Sequence, residues 1–369
     1  MNRTVDDYFD CLVFIGRFQP FHAGHLSAIR AGLEQCGLML VMVGSARQPR
    51  NIRNPWNGQE RAAMIRGSLL PVENNRIQIV PVPDDPYDDA AWARELQGNV
   101  DRMVKTLALI SPNKPRIGLL GDAGIDSGYC PILFSGWERL IVPRLDHISS
   151  SAIREQLFGA ENAAAAQKYL SGTVAERQIP APVIRTLREF CAGQEFAGLK
   201  GEYGFMLNYH KAWRAAPYPP VFVTADAVVT HGRHILLIQR DQYPGRGLWA
   251  LPGGFINQHE LLVDACIREL LEETRLALTA AVLKDCIRSR QVFDYPYRSL
   301  LGRIITHACH FDLGSINPLP AVSGGDDARH ARWTPLQEID PVRLHDDHYF
   351  IIRAMAKPVN NIMATDRAR

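Results

Sequence analysis

Long apolar runs are missing from this chain. No uninterrupted hydrophobic stretch in its 369 residues approaches the roughly 20 residues that a helix needs to cross a bilayer. The N-terminal MNRTVDDYFD also lacks the basic flank and apolar stretch of a secretory leader. The two absences lead to the expectation of a cytoplasmic protein without a membrane partner. Cysteine is sparse: seven residues, at 11, 36, 130, 191, 266, 286 and 309, an odd number with no C-x-x-C spacing. That argues against a disulfide frame or a zinc site and suits reduced, packed thiols. An excess of one charge is missing too, and a formal charge of +2 is too small for a nucleic-acid coat. What is present is a globular composition, 46% hydrophobic and 22% charged, with length enough for two domains.

In the first half, residues 11–15 (CLVFI) and 38–43 (LMLVMV) are uninterrupted apolar runs. Between them Leu26, Ile29 and Leu33 share one helical face, which makes a strand, helix, strand unit with buried parallel strands. Further strands are expected at 77–82, 116–120 and 139–142, and helices near 59–69, 90–110 and 150–158. The alternation predicts a doubly wound α/β domain whose ligand sits where strands end and helices begin. At the end of the first strand stands GRFQPFHAGHL, residues 16–26. Gly16 and Gly24 let the backbone pass close to phosphate, and the new helix aims its amides at the same place. His22 and His25, three apart, can face one ligand; a solitary His would be a packing residue. Further on, ISSSAIR (148–154) puts Ser149 and Ser151 at a helix start and Arg154 one turn in, within reach of phosphate. Taken alone, that stretch reads as a plain helix cap.

His22-Ala23-Gly24-His25 resembles the H-x-G-H signature of the nucleotidyltransferase superfamily, and ISSSAIR resembles its second signature. The resemblance implies direct attack of an acceptor on the α-phosphate of a nucleoside triphosphate, with release of pyrophosphate. His22 and His25 would stabilise the developing charge, and Arg154 would reach the β- and γ-phosphates. Within the superfamily, GRFQPFHAGHL resembles the archaeal-type nicotinamide-mononucleotide (NMN) adenylyltransferases. Residues 45–65 (SARQPRNIRNPWNGQERAAMI) and 82–92 (VPDDPYDDAAW) agree with that group. The group implies ATP as substrate with Mg²⁺ or Mn²⁺. It also implies an ATP and NMN set of Gly16, Arg17, Phe18, Gly24, Arg53, Trp92, Ser149 and Ser151, with Arg61 a weaker phosphate contact. Trp92 would stack on the nicotinamide, although core packing explains it equally well.

The helical stretches ENAAAAQKYL and APVIRTLREFC close the first domain, and KGEYGFMLNYHKAWRAAPYPP lacks clear periodicity and ends in a Pro-rich turn. The expected division is therefore 1–195, a linker over 196–219, and 220–369. From Val221 the pattern is β-rich: VFVTADAVVT and HILLIQRD flank a turn at 231–233, more strands follow within 281–311, and a helix is expected near 335–355. Residues 254–276 read GFINQHELLVDACIRELLEETRL, with five residues between Gly254 and Glu260 and seven between Glu260 and Arg268. On a helix Glu269, Glu272 and Glu273 share a face. Like charges so placed repel unless a hard divalent cation joins them. Val263, Ile267, Leu270, Leu271 and Thr274 would bury the helix against a sheet. The bland reading is a surface helix with solvated acids.

The spacing resembles the Nudix box, which implies a mixed-sheet α/β/α sandwich and hydrolysis of a nucleoside diphosphate linked to another moiety. It assigns Glu273 and Glu269 as Mg²⁺ or Mn²⁺ ligands, Glu272 as a further ligand or base, and Arg268 as the residue that holds a carboxylate. Arg275 stands where the box usually has Gly, which puts the end of the helix in question. Residues 292–311 resemble the segment after the box in ADP-ribose pyrophosphatases fused to NMN adenylyltransferases; Arg298 and Arg303 there, with Gly253 and Gly254 at the box, make the implied ADP-ribose set, and the bland reading of either arginine is a solvated strand residue. Asp326 and Asp327 are either an extra acid or base or turn formers. Both halves together resemble bacterial fusions of an NMN adenylyltransferase with a Nudix hydrolase. The fusion implies NAD and pyrophosphate from NMN and ATP, and AMP and ribose 5-phosphate from ADP-ribose, with no nucleic-acid partner; a homo-oligomer is left open. The alternatives are another adenylyl acceptor, and a Nudix half that senses a nucleotide or hydrolyses a different derivative.

Overall fold

Strand-forming runs and amphipathic helices alternate through the N-terminal unit, and among the described residues its strands are all parallel. In the computed structural model the described residues are 8–108, 115–122, 134, 136–143, 145, 148–314 and 316–356. Cys130 and the last two residues of the helix expected over 90–110 lie outside them. The chain divides into two compact units, Met1–Tyr203 and Gly204–Arg369.

In the first unit β1 (Phe9–Gly16), β2 (Cys36–Val43), β3 (Ile77–Pro81), β4 (Ile117–Asp122) and β5 (Glu138–Val142) form a parallel sheet in the order β3-β2-β1-β4-β5. The winding reverses between β1 and β4, so a ligand crevice opens beyond the carboxyl end of β1. Side chains alternate across the sheet. Leu12 faces a core with Ile29 and Leu33 of the helix Ala23–Leu33, while Val13 faces Leu96, Val100 and Met103 of the helix Asp89–Ala108. Each such large apolar side chain contributes about 1.5–3 kcal/mol by leaving water.

The second unit holds β6 (Val221–His231), β7 (His234–Arg240), β8 (Trp249–Ala250), β9 (Gly253–Phe255), β10 (Ile287–Phe293), β11 (Arg303–Asp312) and β12 (Ala328–Pro335). Its main path is β10-β11-β6-β7-β12, with β8 on β7 and β9 on β6. The sheet is mixed: β6 and β11 are parallel and the other pairs antiparallel. The helix Leu262–Thr274 buries Ala265, Cys266, Ile267 and Leu270 in a core with Ala225, Ala227 and Val229 of β6.

Two segments differ from expectation. The stretch 196–219, read as irregular, lies largely within the helix Gln194–Ala212. Phe196, Leu199 and Tyr203 form a helical stripe on the first unit's core, and Gly198, Gly201 and Gly204 dilute the pattern in sequence. The helix expected near 335–355 is confined to His348–Met355. Pro335 and Pro341 break the earlier residues into short 3₁₀ turns at Leu336–Glu338 and Pro341–Arg343. Among the described residues no helix is long and apolar enough to cross a membrane.

Candidate functional sites

Beyond β1 the chain turns through Phe18, whose positive φ of 52° folds its ring back over Gly16. A Cβ on Gly16 would lie 2.8 Å from the far end of the ring, so a larger residue there would push the ring aside. His22 then caps the helix Ala23–Leu33. Its Nδ1 accepts the Gly24 N–H at 3.1 Å, while the Nδ1 of His25 accepts the His22 N–H at 3.3 Å. With Nδ1 the acceptor on each ring, a neutral imidazole carries its proton on Nε2. The two rings stack with centroids 3.6 Å apart. Burial, and then the neighbouring His22, push the His25 imidazole well below its ordinary value of 6.5.

Arginines surround this turn, in two different situations. Arg154 reaches from the helix Ser150–Gly159 to the Gln19 carbonyl and to the Ser151 Oγ at 3.1 Å, while Ser149 caps that helix and Ser150 bonds the Pro20 carbonyl at 2.9 Å. Burial, followed by the charges of Arg17 and Arg53, lowers Arg154 to about 10. Arg61, expected as a weaker phosphate contact, is instead fully buried at 0% exposure. Its guanidinium donates to the carbonyls of Arg17 and Gly44 at 2.6 Å, Asn57 at 3.1 Å and Ser45 at 3.2 Å. These four bonds to backbone carbonyls tie together the turns after β1 and β2. Trp92 is half-buried in the first turn of the helix after β3 and packs on the apolar cluster around Val13 and Leu96, 6.4 Å from the Phe134 ring. Gln19, which the motif reading passed over, exchanges two hydrogen bonds with the Trp56 backbone, at 2.8 and 3.1 Å.

The second constellation lies between β9 and the helix Leu262–Thr274. Arg268 grips Glu260 with two bonds, at 2.8 and 3.0 Å, and reaches Glu269 at 2.7 Å and Glu272 at 3.0 Å. These bonds hold the Glu260 carboxyl below its ordinary range and the guanidinium above its own. The three helical glutamates do not share one environment, as their spacing suggested. The Glu272 side chain is 46% exposed and that of Glu269 13%, whereas Glu273 is 3% exposed on the same buried face as Cys266 and Leu270. Glu273 accepts the Gly253 N–H at 2.9 Å. Burial, reinforced by Asp327 and Glu269, pushes its carboxyl up to about 9. Glu269 also rises, chiefly through burial. A Cβ on Gly254 would sit 2.7 Å from the Glu269 carboxylate, so glycine is what leaves that carboxylate room. Among the described residues no group of three or more His, Cys, Asp or Glu side chains is drawn together as a metal site. The donors nevertheless fit a hard divalent cation: all three are carboxylates, and burial makes ionisation of Glu269 and Glu273 unfavourable without a positive charge beside them.

Several expected residues lie elsewhere or act differently. Arg298 is buried and forms a two-pronged pair with Asp347 at 2.8 and 2.9 Å. Arg303 bonds the Asp294 carbonyl across the β10 and β11 hairpin. Asp326 has a positive φ of 46° and makes the turn, while Asp327 interacts with Glu273. Arg275 ends the helix in the left-handed conformation, at φ 48° and ψ 32°, that the usual glycine would adopt.

The two folds and constellations define a nucleotidyltransferase-like unit joined to a Nudix unit. Comparison with known proteins agrees: residues 13–156 match the cytidylyltransferase-like family model and residues 220–355 the NUDIX domain model. Over 196 residues the chain is 30% identical to the nicotinamide/nicotinic acid mononucleotide adenylyltransferase of Acinetobacter baylyi, covering 53% of this chain and 94% of that protein. It is 25% identical to the nicotinamide-nucleotide adenylyltransferase of Archaeoglobus fulgidus over 50% of this chain and 98% of that one. A crystal structure of a bifunctional NMN adenylyltransferase/ADP-ribose pyrophosphatase from Francisella tularensis, complexed with AMP and a Mn ion, superposes with TM-score 0.83. That match is 33% identical and covers 93% of this chain and 97% of the other. The chain belongs to the family of bifunctional NMN adenylyltransferase and Nudix ADP-ribose pyrophosphatase proteins.

Proposed function

We propose that the N-terminal unit transfers the adenylyl group of ATP to NMN, forming NAD and pyrophosphate, and that the C-terminal unit hydrolyses ADP-ribose to AMP and ribose 5-phosphate. The observation that carries this reading is the likeness to the bifunctional F. tularensis protein along nearly the whole of both chains. In the first site the stacked His22 and His25 offer parallel Nε2 donors to the oxygens of the attacked α-phosphate. Arg17, Arg53 and Arg154 hold the triphosphate, and Ser151 orients Arg154. Ser149 secures the helix that carries both. The turn of Gly16 and Phe18, with Gly24, shapes the floor, and Trp92 contributes its exposed edge to the nicotinamide.

In the second site Glu269, Glu272 and Glu273 would hold a divalent ion, Mg²⁺ or Mn²⁺, as one would accompany the phosphates of ATP in the first. Such an ion supplies the charge that lets the buried carboxylates ionise and makes water a nucleophile towards phosphorus. Arg268 sets the directions of Glu260, Glu269 and Glu272, and the Gly253 amide sets that of Glu273. Gly254 leaves room for the Glu269 carboxylate, Arg303 is offered to the diphosphate, and Asp327 stands beside Glu273 to share a proton. The test is turnover by the purified chain, first with ATP and either NMN or nicotinate mononucleotide, then with ADP-ribose and a divalent salt. The reading predicts pyrophosphate release in the first assay and AMP in the second. Failure of both mononucleotides would remove the adenylyltransferase assignment, and intact ADP-ribose the hydrolase one.

A further inference from the structure

Beneath the glycine pair that precedes the Nudix helix lies a buried polar cluster that the proposed chemistry does not use. Arg298 pairs with Asp347 and stands 3.8 Å from Asp226, whose carboxylate also accepts the Thr306 hydroxyl at 2.6 Å. Asp226 lies opposite Gly253 in the β6 and β9 pairing, and a Cβ on Gly253 would meet the Asp226 Oδ1 at 2.4 Å. Gly253 therefore rests directly on this carboxylate. The residue after Asp347 is His348, the first of the helix His348–Met355, 7% exposed. Its Nδ1 accepts the N–H of Leu251 at 2.8 Å. The next carbonyl, that of Pro252, accepts the Ala227 N–H at 2.8 Å. Residues 251–253 are thus held at three successive points, and the group they present is the Gly253 amide that bonds Glu273.

We propose that His348 is a positioning residue of the hydrolase site: its Nδ1 fixes Leu251, and through residues 251–253 it sets the Gly253 amide that orients Glu273. The inference rests on the hydrolase reading above and adds a residue that touches neither substrate nor carboxylate. The role requires Nδ1 to be a bare acceptor. Burial lowers the imidazole's pKa, and its other neighbours, Asp226, Asp347, Arg298 and Arg240, pull in opposing directions. The chemistry has a simple mimic. An asparagine oxygen can occupy the place of Nδ1, whereas a glutamine oxygen falls near Nε2 and leaves Leu251 without an acceptor.

The decisive experiment compares wild type, His348→Asn, His348→Gln and His348→Leu for kcat and KM of AMP release from ADP-ribose with Mn²⁺, with NAD synthesis by the same samples as the control for intact protein. His348→Gln and His348→Leu should lose about 10- to 100-fold in kcat with KM for ADP-ribose nearly unchanged, as groups one step removed from a metal site do. His348→Asn should keep most of the wild-type kcat. Equal loss in the Asn and Gln variants, no loss in either, or a change confined to KM overturns the proposal. Should substitutions prevent folding, hydrogen exchange in the unaltered protein decides: the Leu251 amide should be as protected as the neighbouring strand amides, and fast exchange there overturns the proposal. A wild type that leaves ADP-ribose intact with any divalent metal refutes the hydrolase reading instead, and the two failures are told apart.

Discussion

Burial acts on Glu273 and His25 in opposite senses, and each sense can be measured. Glu273 is a carboxyl pushed up to about 9 among other acids, the state of a group awaiting a cation. Glu273→Gln keeps the size and removes the charge; AMP release from ADP-ribose should fall by at least about 100-fold while NAD synthesis persists. Joint loss of both activities in a folded variant would contradict two separate sites. His25 is held neutral, below its ordinary 6.5. When the chain unfolds the ring regains that value, so below it the unfolded state binds the extra proton. The contribution of His25 to stability is complete above about pH 6.5 and is lost as pH falls, by up to about 1.4 kcal/mol per pH unit. Urea midpoints between pH 5 and 7.5 should therefore decline towards acid more steeply for wild type than for His25→Gln. Parallel declines would show that His25 is not the group responsible.

At the scale of elements, what was visible in the chain was mostly periodicity and what was hidden was mostly direction. The five parallel strands, the turn after β1 and the spacing from Gly254 to Glu273 could be read from runs and intervals. The partner of a long side chain could not. Arg298 and Arg303 sit in the same stretch of sequence, yet Arg298 turns inward to Asp347, 49 residues away, and Arg303 bonds its hairpin neighbour Asp294. Arg298→Met leaves Asp347 buried without its counter-charge, at a cost of about 3–5 kcal/mol. The midpoint of the second unit should drop by on the order of 10 °C in a thermal scan. A variant with unchanged stability and a raised KM for ADP-ribose would favour the ligand role expected from sequence. Arg275 is the converse case, a side chain in a conformation suited to glycine. Arg275→Gly should stabilise by about 1 kcal/mol if relief of the left-handed backbone outweighs lost contacts over Gly325. A fall in stability would show that those contacts dominate.

For the whole molecule the expected behaviour is two activities on one chain that separate cleanly. His22→Ala should remove NAD synthesis and leave ADP-ribose hydrolysis; a chelator should abolish AMP release, and added Mn²⁺ or Mg²⁺ should restore it. Loss of hydrolysis in His22→Ala would refute the separation. The order of folds along the chain, the chemistry class of each half and the residues that could carry charge were set locally, because strand and helix periods and motif spacings are properties of consecutive residues. Four matters rested on the tertiary structure: the burial of Glu273 beside exposed Glu272, the retirement of Arg61 and Arg298 into the interior, the stacking of His22 on His25, and the hold of His348 on Leu251. Each depends on which distant group lies within hydrogen-bond reach and how much water is excluded there, and neither quantity exists until the chain has packed.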